Sequence, residues 1–179
     1  MKLFLINFLT VSRILLGAVI FLLLTRTDFY WIAFLLFFIA GITDYFDGYF
    51  ARKYQAVSEI GEILDPIADK ILIVFLLFAI SVSISSFYIA FAGSIIITRE
   101  IWVGALRDFN ARQSRSDATK VTFLAKIKTT IQLFTISIYL LGLSLNNMLI
   151  LLIADMLLLI SIIITIYTGF QYTINSFTK

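Results

Sequence analysis

The 179 residues contain no cysteine, no histidine and only one proline. Without thiols there are no disulfides, no thiolate metal sites and no cysteine nucleophile. Without imidazoles there is no Ser-His-Asp triad, no histidine zinc ligand and no phosphohistidine intermediate. Any chemistry the chain performs must therefore run on carboxylates. Charge is scarce as well: Asp, Glu, Lys and Arg make up 14% of the residues, where a soluble domain carries about 25%. Apolar residues take the remaining space, at 61% of the chain, with a mean hydropathy of +1.02. This is the composition of an integral membrane protein. Eight glycines and one proline do not make a low-complexity chain, and long apolar runs without period-two alternation exclude an outer-membrane barrel. The net charge of +3 and pI near 9.2 read as a topology signal, and no nucleic-acid partner is expected. Arg13 falls early in the first apolar stretch and no small-residue cleavage site follows, so no cleavable signal is expected.

A membrane span needs roughly 20 mostly apolar residues. On that basis the sequence predicts an all-α, polytopic fold with six transmembrane helices over about 8–25, 29–51, 61–81, 86–108, 124–144 and 147–170. The short connections leave no room for a second domain, so residues 1–179 read as one membrane domain without internal repeats. Lys2, Arg13, Arg52, Lys53 and Arg107 fall at one set of helix ends, with Arg112, Arg115, Lys120, Lys126, Lys128 and Lys179, while only Arg26 lies among the opposite loops. The positive-inside rule then puts both termini and the loops at 52–60 and 109–123 in the cytoplasm.

Six of the eleven acids lie between Asp44 and Asp69, and four of them, Asp44, Asp47, Asp65 and Asp69, fall inside predicted spans. A charge at the bilayer centre costs a few kcal/mol even on the mildest scale, which makes an intramembrane carboxylate a functional-site hypothesis. Asp44 and Asp47 are spaced i, i+3 and Asp65 and Asp69 i, i+4, so each pair shares a helix face. Counted from the loop edges, Asp47 and Asp65 lie roughly 6 Å down and Asp44 and Asp69 roughly 10–12 Å down, which predicts two layers of carboxylates. Four such anions need a compensating cation, and hard oxygen donors without His or Cys select Mg²⁺, Mn²⁺ or Ca²⁺, with room for two ions. Gly48 and Gly61 allow close approach beside the acids, and Arg52 reaches a phosphate by a bidentate fork, a pattern that suits a pyrophosphate on metal ions. Structural pairing with Lys70, Arg52 and Lys53 is the alternative, but three cations cannot neutralise the whole cluster.

Residues 44–69, DYFDGYFARKYQAVSEIGEILDPIAD, fit D-x2-D-G-x2-A-R-x8-G-x3-D-x3-D at every fixed position, and this closely resembles the signature of the CDP-alcohol phosphotransferases. The resemblance implies a six-helix enzyme of the bacterial cell membrane, usually a homodimer, that moves a substituted phosphoryl group from a CDP-linked donor to an alcohol and releases CMP. It assigns two Mg²⁺ or Mn²⁺ ions to Asp44, Asp47, Asp65 and Asp69, with Asp69 also the general base. It further implies donor contacts from Gly48, Ala51, Arg52, Ser58 and Gly61, with Asn7 and Thr10 from the N-terminal NFLTVSR. That opening, the run ITREIWVGALRDF and the following AKIKTTIQ resemble the bacterial phosphatidylglycerophosphate synthase branch, which implies CDP-diacylglycerol as donor and glycerol 3-phosphate as acceptor. This chain reads ARQSRSD where members of the family often have a glycine after the position of Ala111.

The residues themselves agree with an anionic acceptor. Arg99 lies within the fourth span and Arg107 near its cytoplasmic end, while Lys126 and Lys128 open the fifth, and a net-positive pocket beside an acidic site suits the phosphate of glycerol 3-phosphate. Arg99 is too deep to snorkel easily, so Glu100 or a substrate phosphate is expected to hold it, whereas Arg112, Arg115 and Lys120 read as positive-inside anchors. The aromatic residues along the spans are expected to pack or face lipid, and Gly93 and Gly104 to be helix contacts. Phosphatidylglycerol, serine or inositol as acceptor is the alternative within the family. A divalent-cation transporter is the remote alternative, and it predicts broken helices and a carboxylate path across the bilayer; only Asp155 lies near the far side.

Overall fold

A computed structural model describes the backbone of residues 2–54 and 59–178, and the side chains of 11–43, 64, 67–115 and 117–178. Among these residues the regular structure is helical: α1 (Lys2–Arg26), α2 (Tyr30–Tyr54), α3 (Glu59–Ser83), α4 (Phe87–Arg112), a 3-10 turn (Ser116–Thr119), α5 (Phe123–Leu145) and α6 (Met148–Thr178). Each expected apolar run falls on a helix. The helices also continue past the runs, α4 to Arg112 and α6 to Thr178, because backbone hydrogen bonding does not stop where hydropathy does. Among the described residues three segments, Phe87–Arg112, Asp117–Leu145 and Met148–Thr178, are long and apolar enough to cross a membrane.

Apolar residues lie both inside and outside. Ile20, Leu76, Ile80, Ile89 and Leu140 are fully enclosed, while Leu15, Leu35, Ile101, Leu149 and Phe170 stand exposed. Helices that are apolar all round belong in lipid, where close packing of small residues replaces the hydrophobic effect as the force between helices. The buried Ala33, Ala40, Ala79, Ala92 and Ala154 follow that rule. α1 packs against α2 and α3, α4 against α3 and α6, and α5 against α2, α3 and α6.

The turns are set by local chemistry. At the end of α5, Asn146 takes the left-handed conformation, and Asn147 N–H donates to the Gly142 carbonyl at 3.0 Å. The chain then reverses so tightly that a Cβ on Gly142 would lie 2.8 Å from Leu151 Cδ2. Ser114 stands at the equivalent position after α4, with φ 55, and Arg115 N–H donates to the Asn110 carbonyl at 2.8 Å. The serine thus occupies the left-handed position that glycine fills most easily, in the ARQSRSD segment.

Asp155, on α6, is engaged in this packing. The Tyr139 hydroxyl donates to its Oδ1 at 2.5 Å, and the Tyr88 hydroxyl donates to its backbone carbonyl at 3.1 Å. One residue thereby ties α4, α5 and α6 together at the end opposite Arg107 and Lys126. Gly93 is a helix contact as expected, its Cβ position 3.6 Å from Leu77 Cβ. Gly104 is not, since a Cβ there would meet nothing within 4 Å; it opens onto a cavity instead.

Candidate active site

That cavity, of about 710 Å³, lies between α3, α4 and α5. α3 contributes Asp69 and Lys70, α4 contributes Arg99, Glu100 and Arg107, and α5 contributes Lys126 and Lys128. The spacing of Arg99 and Arg107, i, i+8 on one helix, brings both to this side, and the start of α5 faces them. Among the described residues five cations line the cavity with two carboxylates, and one of those, Asp69, also has a buried partner on α1.

The partner is Arg13. Its Nη1 donates to Asp69 Oδ1 at 2.6 Å, with the arginine 1% exposed and the carboxylate 47% exposed. The guanidinium thus approaches from the protein interior a carboxylate that lines the cavity. A charge-assisted contact of this kind fixes the carboxylate's orientation. The family resemblance had touched Arg13 only as part of the N-terminal stretch; the signal for its role is an arginine inside an apolar helix, which must find an anion.

Glu100 organises the opposite wall. It accepts from Arg99 Nη1 at 2.8 Å and from Lys128 Nζ, and Lys70 Nζ lies 3.7 Å from its other oxygen. Arg99 is also held by α6, where Nη2 donates to Thr168 Oγ1 at 3.0 Å. A glycine at 169 makes room for it: a Cβ there would come within 3.0 Å of Arg99 Cγ. One carboxylate cannot balance three buried or half-buried cations, so this wall retains positive charge. Arg107 and the exposed Lys126 form no ion pair among the described residues, and they carry the charge that is least committed.

The structure therefore brings Asp69, Arg99, Arg107, Lys126 and Lys128 into one cavity. The side chains of Asn7, Thr10, Asp44, Asp47, Gly48, Ala51, Arg52, Gly61 and Asp65, and the whole of Ser58, lie outside the described residues. The backbone is helical through 44–47 and 65–69, which keeps each aspartate pair on one face. Of the four aspartates the described side chains include only Asp69, and among the described residues no three acids gather as a metal site; a carboxylate is nonetheless donor chemistry that suits a hard divalent ion.

Comparison with known proteins then defines the class. The model of the CDP-alcohol phosphatidyltransferase family matches residues 3–169, and the chain belongs to that family. It is accordingly an enzyme of the phosphatidyltransferase class. Among its curated relatives are three proteins named CDP-diacylglycerol–glycerol-3-phosphate 3-phosphatidyltransferase. The one from Rickettsia bellii is 39% identical over 174 residues, covering 93% of this chain and 91% of that protein. The one from Cereibacter sphaeroides is 40% identical over 146 residues, 79% of this chain and 65% of that protein. The one from Haemophilus influenzae is 39% identical over 140 residues, 77% and 73% respectively.

Proposed function

We propose that this enzyme transfers the phosphatidyl group of CDP-diacylglycerol to glycerol 3-phosphate, giving phosphatidylglycerophosphate and CMP. The observation that carries the reading is the cavity in which Asp69 faces a wall that, among the described residues, holds more cations than carboxylates. The names of the relatives support the same donor and acceptor.

On this reading Asp44, Asp47, Asp65 and Asp69 would hold two divalent ions, Mg²⁺ or Mn²⁺, which would supply charge neutralisation for the pyrophosphate of the donor. Gly48, Ala51, Arg52, Ser58 and Gly61 contact the CDP moiety, with Asn7 and Thr10 from α1. Arg99, Arg107, Lys126 and Lys128 bind the acceptor phosphate, which sets the free hydroxyl toward Asp69. Asp69, held by Arg13, takes the hydroxyl proton as the oxygen attacks the lipid-side phosphorus, and the bond to CMP breaks. Orientation of the two substrates supplies a large share of the rate. The six helices span the bacterial cell membrane as a single domain over 1–179, with both termini and the active site cytoplasmic, and the chain works as a homodimer.

The test is purified protein with CDP-diacylglycerol and Mg²⁺, offered glycerol 3-phosphate, serine, inositol and phosphatidylglycerol in parallel, with products identified by mass spectrometry. Phosphatidylglycerophosphate is the expected product, with CMP release stopped by EDTA and restored by Mg²⁺ or Mn²⁺. A product formed only from another alcohol would keep the chain in its family and reject this acceptor.

A further inference from the structure

Tyr172 lies three residues beyond the part of the chain that the family model matches. It does not line the cavity, yet two of the cavity's cations rest on it. The Arg99 guanidinium carbon is 5.5 Å from the centre of its ring and that of Arg107 is 5.8 Å away. Both distances are within the range over which the negative face of an aromatic ring attracts a cation. The side chain is 1% exposed and packs with Val103 and Leu106 of α4 and Ala125 of α5, a small apolar cluster separate from the main core.

Its hydroxyl reaches the segment that leads into α5. It accepts from Thr122 N–H at 3.1 Å and lies 3.3 Å from the Lys120 carbonyl, to which it donates. Thr122 is the N-cap of α5, its own hydroxyl accepting from Ala125 N–H at 3.3 Å. The turn that follows carries Lys126 and Lys128. One side chain therefore has its ring under the two arginines of α4 and its oxygen on the segment that sets where the lysines of α5 begin. Like charges so close repel; of the two arginines only Arg99 pairs with Glu100, whereas Arg107 forms no ion pair among the described residues and rests on the Tyr172 ring.

We infer that Tyr172 is a positioning residue for the acceptor phosphate: its ring aligns Arg99 and Arg107, and its hydroxyl fixes the α5 start that presents Lys126 and Lys128. This rests on the reading of the cavity as the glycerol 3-phosphate site. α6 then belongs to the site without touching substrate.

The experiment compares Tyr172→Phe, Tyr172→Leu, Arg107→Ala and the double variant Tyr172→Leu/Arg107→Ala in detergent, measuring KM for each substrate, kcat and thermal melting. Tyr172→Leu is expected to raise the KM for glycerol 3-phosphate ~3–30-fold, the factor that loss of a cation–ring contact produces, with the CDP-diacylglycerol KM within about twofold of wild type. Tyr172→Phe keeps the ring and should stay nearer wild type than Tyr172→Leu. In the double variant the effect should fall short of the product of the two single effects, because the ring acts partly through Arg107. If Arg107→Ala raises the acceptor KM and Tyr172→Leu does not, or if Tyr172→Leu only lowers the melting temperature, the inference is wrong and the acceptor site stands. If neither variant moves the acceptor KM, the acceptor site and the inference fall together.

Discussion

Arg13 and Asp69 are joined by a 2.6 Å contact between a wholly buried guanidinium and a half-exposed carboxylate. Charge-assisted bonds of this kind contribute roughly 1.5–3 kcal/mol, or about one to two decades in rate when they orient a reacting group. Arg13→Gln should therefore lower kcat on the order of 10–100-fold while moving the KM for glycerol 3-phosphate little, and steady-state CMP release reads both. Asp69→Asn should lose several orders of magnitude, since an amide can fill a ligand position but cannot accept a proton. Near-normal turnover in Asp69→Asn would move the base elsewhere. The aspartates were legible in the sequence because a carboxylate inside an apolar run is costly and its spacing shows which face it shares. The partner of Asp69 was not, because Arg13 and Asp69 are 56 positions apart and only the packing of α1 on α3 brings them together. Tyr172 escaped for a different reason: in an apolar helix a tyrosine reads as a packing residue, and nothing in its neighbours marks the two arginines above it.

α4 carries two different kinds of feature along its length. Near its start, Tyr88 meets Asp155, which also takes the Tyr139 hydroxyl of α5; Arg99 to Arg107 lie ~16 Å or more further along the helix. Tyr139→Phe leaves the Asp155 carboxylate without that donor, at a cost of about 1–3 kcal/mol. Its melting temperature should fall while the kcat and KM of the folded fraction stay at wild-type values. Loss of acceptor affinity in that variant would show that the two ends of α4 are coupled. Gly104 supplies the converse case, because a side chain there meets open cavity. Gly104→Leu should keep or raise the melting temperature, since glycine costs a helix about 1 kcal/mol, and yet raise the KM for glycerol 3-phosphate tenfold or more by filling the space. Helix positions were readable from apolar runs alone, but the side of α4 on which Gly104 faces depends on its neighbours, and so a helix contact was expected where a cavity wall is found.

Across the whole molecule, charge is divided between the ends. The end of α4 and the α4–α5 connection carry Arg112, Arg115 and Lys120, whereas at the opposite end the turns at 84–86 and 146–147 are uncharged and the turn at 27–29 holds Asp28 next to Arg26. Single cysteines at Ser114 and Asn146 report this directly, since the native chain has no thiol. A membrane-impermeant maleimide added to intact cells should label Asn146→Cys and leave Ser114→Cys untouched until the membrane is opened; labelling of both from outside would contradict the proposed topology. On the proposed reading the wall of Arg99, Arg107, Lys126 and Lys128 holds the phosphate of the acceptor beside Asp69. The most direct measurement is kcat/KM for glycerol 3-phosphate and for glycerol in the wild type and in Arg107→Ala. The expected result is a strong preference for glycerol 3-phosphate that falls about 10–100-fold in the variant, the worth of one charge-assisted contact, with glycerol and CDP-diacylglycerol kinetics unchanged. A raised donor KM with the acceptor preference intact would contradict it and assign Arg107 to the CDP side.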